Sequence, residues 1–232
     1  MIEKIVTGGF FTNSYVISNE GDCVIVDPGL DYEKAANEIK SKYNVKAILI
    51  THGHMDHIDG IKYFDVPVYI HELDKEFLFD PTLSLYSMFR LNATPFKKGS
   101  LDLITVKDND EFELIGYKFK VMHTPGHTKG SVCYSYGNKL LSGDTLFNMS
   151  AGRTDFPTGN PKDMRNSLLK IINNFNDNVD VYPGHEGKTT IKNERKNNIF
   201  IKYYQLFACI PRSLREDLSP RGAPSRSYRA EA

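Results

Sequence analysis

Three of the seven histidines in the chain fall within one short run, Thr51-His52-Gly53-His54-Met55-Asp56-His57. Neutral imidazoles and a carboxylate are the borderline ligands that Zn²⁺, Fe and Mn accept. Four such side chains in six consecutive residues exceed what one closed structural site draws from a single segment. The run therefore reads as built for two ions. A solvated polar loop with incidental histidines is the plain alternative, and that concentration of ligand types weighs against it. Further candidates stand beside Gly or Pro, which let a backbone turn tightly. They are His123 and His127 in Met122-His123-Thr-Pro-Gly-His127-Thr, Asp144 in Ser142-Gly-Asp144-Thr, and His185 in Pro183-Gly-His185-Glu.

Each of these clusters follows a segment with strand character. Residues 45–50 are a short run, apolar apart from Lys46, as expected of a strand buried on both faces. A loop at its end can aim His52, His54, Asp56 and His57 inward from different backbone angles, as a regular helix or strand cannot. Strand patterns also cover residues 3–6, 14–18, 23–27, 66–70, 102–106, 111–115, 118–123, 131–136, 139–142 and 179–182. Residues 31–43 predict a helix with Ala35, Ala36, Ile39 and Tyr43 on one face and Asp31 as N-cap. Asn160-Pro161 opens a second helix with Met164, Leu168, Leu169 and Ile172 inward. Residues 190–201 predict a last helix, and 83–90 a short one within an irregular stretch. The class is mixed α and β.

Composition narrows the functions that fit. With 29 Lys+Arg against 29 Asp+Glu over 232 residues, no whole-chain charge draws the protein to nucleic acid or an anionic membrane. No apolar run approaches the ~18 residues of a membrane span. The first residues lack the basic head and apolar core of a signal peptide, and the three cysteines (Cys23, Cys133, Cys209) form no C-x-x-C pair. A cytoplasmic setting is the expectation. Residues 203–232 contain five Arg but no Lys and no Asn, unlike the Lys- and Asn-rich body. We expect a working domain at 1–202 and a C-terminal extension at 203–232, largely disordered or foreign in origin, with a native docked helix as the equal alternative for the apolar stretch 203–210.

The order T-H-x-H-x-D-H, H-T-P-G-H-T, S-G-D-T-L-F and P-G-H-E resembles the metallo-β-lactamase-fold hydrolases, and within them the glyoxalase II-like (hydroxyacylglutathione hydrolase-like) branch in its short form. The resemblance covers about residues 1–202. It implies an α+β fold, a four-layer αββα sandwich with two metal ions at one edge. Carried over by motif, His52, His54 and His127 would hold the first ion, and Asp56, His57 and His185 the second. Asp144 would bridge both. Zinc is the first expectation, with iron or manganese as alternatives. His123 reads as a packing residue behind the ligand loop, and His71 as a surface residue.

Two divalent ions sharing a water lower its pKa toward about 7, so the resemblance implies hydroxide attack on a carbonyl, here a small-molecule thioester. Asp56 and Asp144 would be the catalytic carboxylates. Arg153, in Gly152-Arg-Thr-Asp-Phe156, stands where the family grips glutathione, although the two tyrosine positions of that grip fall on Asp155 and Gly187. Arg153 reads equally as an internal partner of Asp155. Alternatives of the same fold are a one-iron persulfide dioxygenase using His52, His127 and Asp144, and a lactonase or β-lactamase. No oligomeric state follows from the sequence.

Overall fold

The computed structural model describes residues 1–91 and 96–209. The first half of the chain lays down one six-stranded sheet in sequence order: β1 (Ile2–Thr7), β2 (Thr12–Asn19), β3 (Asp22–Val26), β4 (Asn44–Leu49), β5 (Val68–His71) and β6 (Leu103–Val106). β1 to β3 pair antiparallel and β3 to β6 parallel. The parallel β3–β4 step needs a crossover, which α1 (Glu33–Lys42) supplies. A single helical turn, α2 (Met55–Ile58), follows β4.

The second half builds the other sheet from β7 (Glu111–Leu114), β8 (Tyr117–His123), β9 (Val132–Tyr136) and β10 (Lys139–Gly143). A two-stranded ribbon, β11 (Leu146–Phe147) with β12 (Ser150–Ala151), and the helix α3 (Pro161–Asn174) then intervene. β13 (Asp180–Pro183) returns parallel to β10, and β14 (Thr189–Thr190) closes that edge. The helices α4 (Ile191–Asn197) and α5 (Ile199–Cys209) end the described chain.

Period-two alternation along the strands sorts the apolar residues into three layers. Tyr15, Ile17, Val24, Val26, Ala47 and Leu49 of the first sheet meet Phe119, Val121, Tyr134 and Leu141 of the second. The alternate residues Val16, Cys23, Ile25, Ile48 and Ile50 pack outward with Ala36 and Ile39 of α1. On the far side, Cys133, Leu140 and Val181 pack with Met164, Leu168 and Ile171 of α3 and Ile201 of α5. The result is the expected αββα sandwich. β4 is covered on both faces from Ala47 onward, which explains the apolar run there, whereas Asn44 and Lys46 at its start are exposed. Among the described residues no helix is long and apolar enough to cross a membrane.

Several local expectations need correction. Asp31 does not cap α1: it adopts a left-handed φ of 55°, and the cap position is Tyr32, without a side-chain bond. Residues 83–90 form turns instead of a helix, because Leu85 and Arg90 take φ of 72° and 53°. The last predicted helix is two. Asn198 breaks it, its Oδ1 accepting from the amides of Phe200 and Ile201 and so starting a new helix. In α3, Asn160 caps as expected, accepting from the amides of Lys162 and Asp163, but Leu169 is only half-buried and Ile171 takes its inward place. Past residue 202 the chain takes the helical alternative as far as Cys209, with Tyr204 packed against the α3 layer. The expectation for 210–232 lies outside the described residues.

Candidate metal centre

The clusters singled out by sequence converge at the ends of β4, β10 and β13 and in the loop after β8. β4 delivers the chain into Thr51, whose carbonyl accepts from the Val132 amide of the other sheet and ties the two sheets together beside the centre. His52 and His54 follow outside any regular element, His54 in extended backbone, whereas Asp56 and His57 sit on the helical turn α2. The motif is thus half loop and half helix, a correction to the all-loop expectation. His127 lies in the turn after β8, Asp144 just beyond β10, and His185 just beyond β13.

Four of the five histidines have one ring nitrogen held by the fold. The Nδ1 of His57 faces Asp27 Oδ2 at 3.0 Å, that of His127 faces the Arg153 carbonyl at 2.8 Å, and that of His185 faces the Phe10 carbonyl at 3.1 Å. His52 Nδ1 lies 3.2 Å from Thr51 Oγ1. An Nδ1–H that donates to such an acceptor leaves Nε2 as a lone pair directed inward, the tautomer a metal ligand needs. Those inward atoms meet the carboxylates. Asp144 lies 3.5 Å from His57 Nε2, 3.5 Å from His127 Nε2 and 3.4 Å from His185 Nε2. Asp56 lies 3.5 Å from His57 Nε2 and 3.4 Å from His185 Nε2. His54 Nδ1 and His127 Nε2 face each other at 2.9 Å.

The donor set fits a pair of cations. Among the described residues, His52 Nε2, His54 Nε2, His57 Nε2 and Asp144 Oδ1 are buried with no hydrogen-bond partner. Orphaned buried polar atoms are costly and rare; four around one centre mark a place for a positively charged group. One ligand atom from each of His52, His54 and His127 lies within 4.8 Å of the others, as it does for Asp56, His57 and His185. His52, His57 and Asp144 form a third such group that joins the two. These residues can hold a dinuclear metal site. A Cβ at Gly184 would overlap Asp144 Oδ1, so the close approach of β13 to this carboxylate requires glycine there.

Electrostatics divides the centre in two. Burial, and then the neighbouring imidazoles, hold His52 and His54 well below the ordinary histidine value; burial also lowers His127. For His57 and His185 burial acts in the same sense, but the adjacent carboxylates outweigh it. They push His57 up to about 9 and His185 up to about 11. Burial raises Asp56 and Asp144, yet the same imidazoles overcome it and hold both well below the usual carboxylate range.

Other candidates fall differently. His123 packs flat on His71, ring centroids 4.1 Å apart, and its Nε2 meets the Lys129 carbonyl. His71 is buried, not on the surface: it ends β5 facing the second sheet, and burial pushes it down to about 4. Arg153 makes a two-pronged pair with Asp155 at 2.6 Å and lies over the Phe156 ring. Sequence reasoning missed Asp27, Asp74 and Thr12. Asp27 accepts from the Thr51 amide and hydroxyl and holds His57. Its signal was present, a carboxylate after a buried strand and beside Pro28-Gly29. Thr12 Oγ1 donates to Asp56 at 2.9 Å, and Asp74 braces two ligand loops; neither has a local signal.

Comparisons with known proteins agree with this geometry. The crystal structure of the BLEG-1 B3 metallo-beta-lactamase shares 36% identity, covering 87% of this chain and 99% of that one, with a TM-score of 0.78. TTHA1623, solved in a di-iron-bound form, shares 30% identity over 85% of this chain and 99% of its own, with a TM-score of 0.73. Hydroxyacylglutathione hydrolase GloC of Haemophilus influenzae is 31% identical over 209 residues, 86% of this chain and 97% of that protein. The sequence profile of the metallo-beta-lactamase superfamily matches residues 7–185, a span that runs from the first sheet to the last histidine of the centre. With that match and the αββα sandwich around seven convergent ligand-type side chains, the chain belongs to the metallo-beta-lactamase superfamily.

Proposed function

We propose that the chain is a metal-dependent thioester hydrolase whose substrates are of the hydroxyacylglutathione type. The observation that carries the reading is the pair of ligand groups, joined by a third formed by His52, His57 and Asp144, in a protein 31% identical to the GloC hydrolase along nearly its whole length. His52, His54 and His127 would hold one ion, Asp56, His57 and His185 the other, and Asp144 would contact both. Zinc is the expected metal, and the likeness to the di-iron TTHA1623 supports iron as the alternative. When bound, two such ions supply a nucleophile from water near neutral pH and positive charge for a developing oxyanion and thiolate.

The protein's own residues supply the rest. Thr12 holds Asp56 in the orientation that serves the second ion. Asp56 and His185 are 14% and 22% exposed, whereas His52, His54 and His57 are buried, so substrate reaches the centre from the His185 side. Phe147 packs edge-on against His185 and Phe156 against His54, giving that entrance apolar walls. Arg153 is the cation for a substrate carboxylate, which would exchange with Asp155. Cys23 and Cys133 offer no rival nucleophile, because burial pushes their thiols up to about 12 and about 11.

Turnover of S-lactoylglutathione and of simpler thioesters by zinc- and iron-loaded protein tests the reading. Failure on every thioester would overturn it. The 36% identity to BLEG-1 favours β-lactam hydrolysis as the second reading, and turnover of a chromogenic cephalosporin without thioester hydrolysis would select it.

A further inference from the structure

We infer that Asp74 is a positioning residue for one half of the metal centre, its buried carboxylate locking the loop that carries His52 and His54 to the loop that carries His127. The inference rests on the metal-binding reading of the site but not on the reaction it catalyses. Asp74 is fully buried in the connection after β5. Its Oδ2 accepts from the Gly53 amide at 3.0 Å and from the Thr128 hydroxyl at 2.6 Å, and its Oδ1 accepts from the Gly130 amide at 2.8 Å. Gly53 lies between two ligands in sequence, and Thr128 directly follows the third.

All three donors are amides or a hydroxyl, without a cation among them. A buried carboxylate in such surroundings is expensive, so the fold retains it for what it holds. The space is shaped to it: a Cβ at Gly130 would overlap Asp74, and one at Gly53 would overlap Phe77. The backbone between His52 and His54 therefore meets both the Phe77 ring and the Asp74 carboxylate. Ser131 extends the lock, its hydroxyl accepting from the Thr128 amide at 3.0 Å and meeting the Thr128 hydroxyl at 2.8 Å. Only an acceptor-only group serves both amides at once; an asparagine would turn an NH₂ toward one of them.

Asp27 is the natural comparison. It bonds the His57 ring directly and also holds the Thr51 hydroxyl that faces His52 Nδ1, so it reaches both halves. Asp74, by contrast, meets only the loops that carry His52, His54 and His127. A staple that only stabilises the fold would weaken both halves together.

The test is zinc binding to metal-free protein, by competition with a chromophoric chelator that resolves two affinities. His54→Ala and His185→Ala mark which step belongs to which half. Asp74→Asn should weaken the His54-marked ion by about 10- to 100-fold, the range for losing an outer contact of a metal site, and change the other by less than about threefold. Thr128→Val, which keeps the carboxylate, should weaken the same ion by a smaller factor. Asp27→Asn, which disturbs both His57 and the Thr51–His52 contact, should weaken both ions. Equal loss at both ions in Asp74→Asn, or a lowered thermal midpoint with unchanged affinities, would overturn the inference. If Asp74→Asn does not fold, Thr128→Val decides on the same criterion. Wild-type protein that binds no zinc, cobalt or iron would overturn the metal-binding reading itself.

Discussion

The centre depends on the proton each ring nitrogen carries. His52, His54 and His127 are biased toward the neutral form before any ion arrives, whereas Asp56 and Asp144 keep protons on His57 and His185. A ligand must be deprotonated to bind metal. At pH 7 both His57, at about 9, and His185, at about 11, lie below their raised values and are charged. Filling that half must therefore release about two protons, while filling the His52–His54–His127 half releases few. Affinity of the Asp56–His57–His185 half should fall as pH drops, and acidification should empty it first. Calorimetric zinc titrations in buffers of different ionisation enthalpy read the proton count; release of no protons at pH 7 would refute this division. The side chains that converge at the centre were legible in sequence because histidine, aspartate and glycine cluster after strand patterns. Their braces were not. Asp74 meets Gly53, Thr128 and Gly130 across 21, 54 and 56 positions, separations with no local trace.

At the scale of elements, strand ends place the ligands and a few backbone devices set their closeness. Gly184 lets β13 approach Asp144, so Gly184→Ala should displace Asp144 or His185 and lower the affinity for at least one ion by about tenfold or more, as outer contacts of metal sites do. Metal competition measures it, and unchanged affinities would show that the strand has room to give. The helix α3 starts where its signal lay, at Asn160-Pro161. Asn160→Ala removes two accepted bonds and should cost about 1 kcal/mol in denaturant unfolding. Strand patterns found β1 to β10 and β13, because one-sided burial leaves a period of two in β7 and β8 and burial on both faces leaves apolar runs in β3, β4 and β10. They could not find the short pairs β11, β12 and β14, which have no room for a period, nor the Asn198 break, where a side-chain bond to Ser150 and Glu194 decides the geometry. His71 was misread for a related reason: polar neighbours in sequence hid that it ends a strand packed against the second sheet.

For the whole molecule, three apolar layers surround a polar centre at the edge shared by the two sheets, and the chain's zero net charge leaves the local carboxylates and imidazoles in control. The helix α5 continues past residue 202 and places Tyr204 against α3, and a chain cut after Cys209 keeps that contact. One cut after Lys202 loses that contact and should melt several degrees lower, since about 1 kcal/mol corresponds to roughly 2–4 °C in a domain of this size. Equal midpoints would show that this turn of helix contributes nothing. The most direct test of the central claim is metal content per chain, measured with thioester hydrolysis on the same samples. Wild-type protein should carry two ions, and Asp144→Ala should lose at least one of them together with about 100-fold or more of its activity, a larger loss than outer contacts cause. One ion per wild-type chain at full activity, or an active Asp144→Ala protein, would contradict the account.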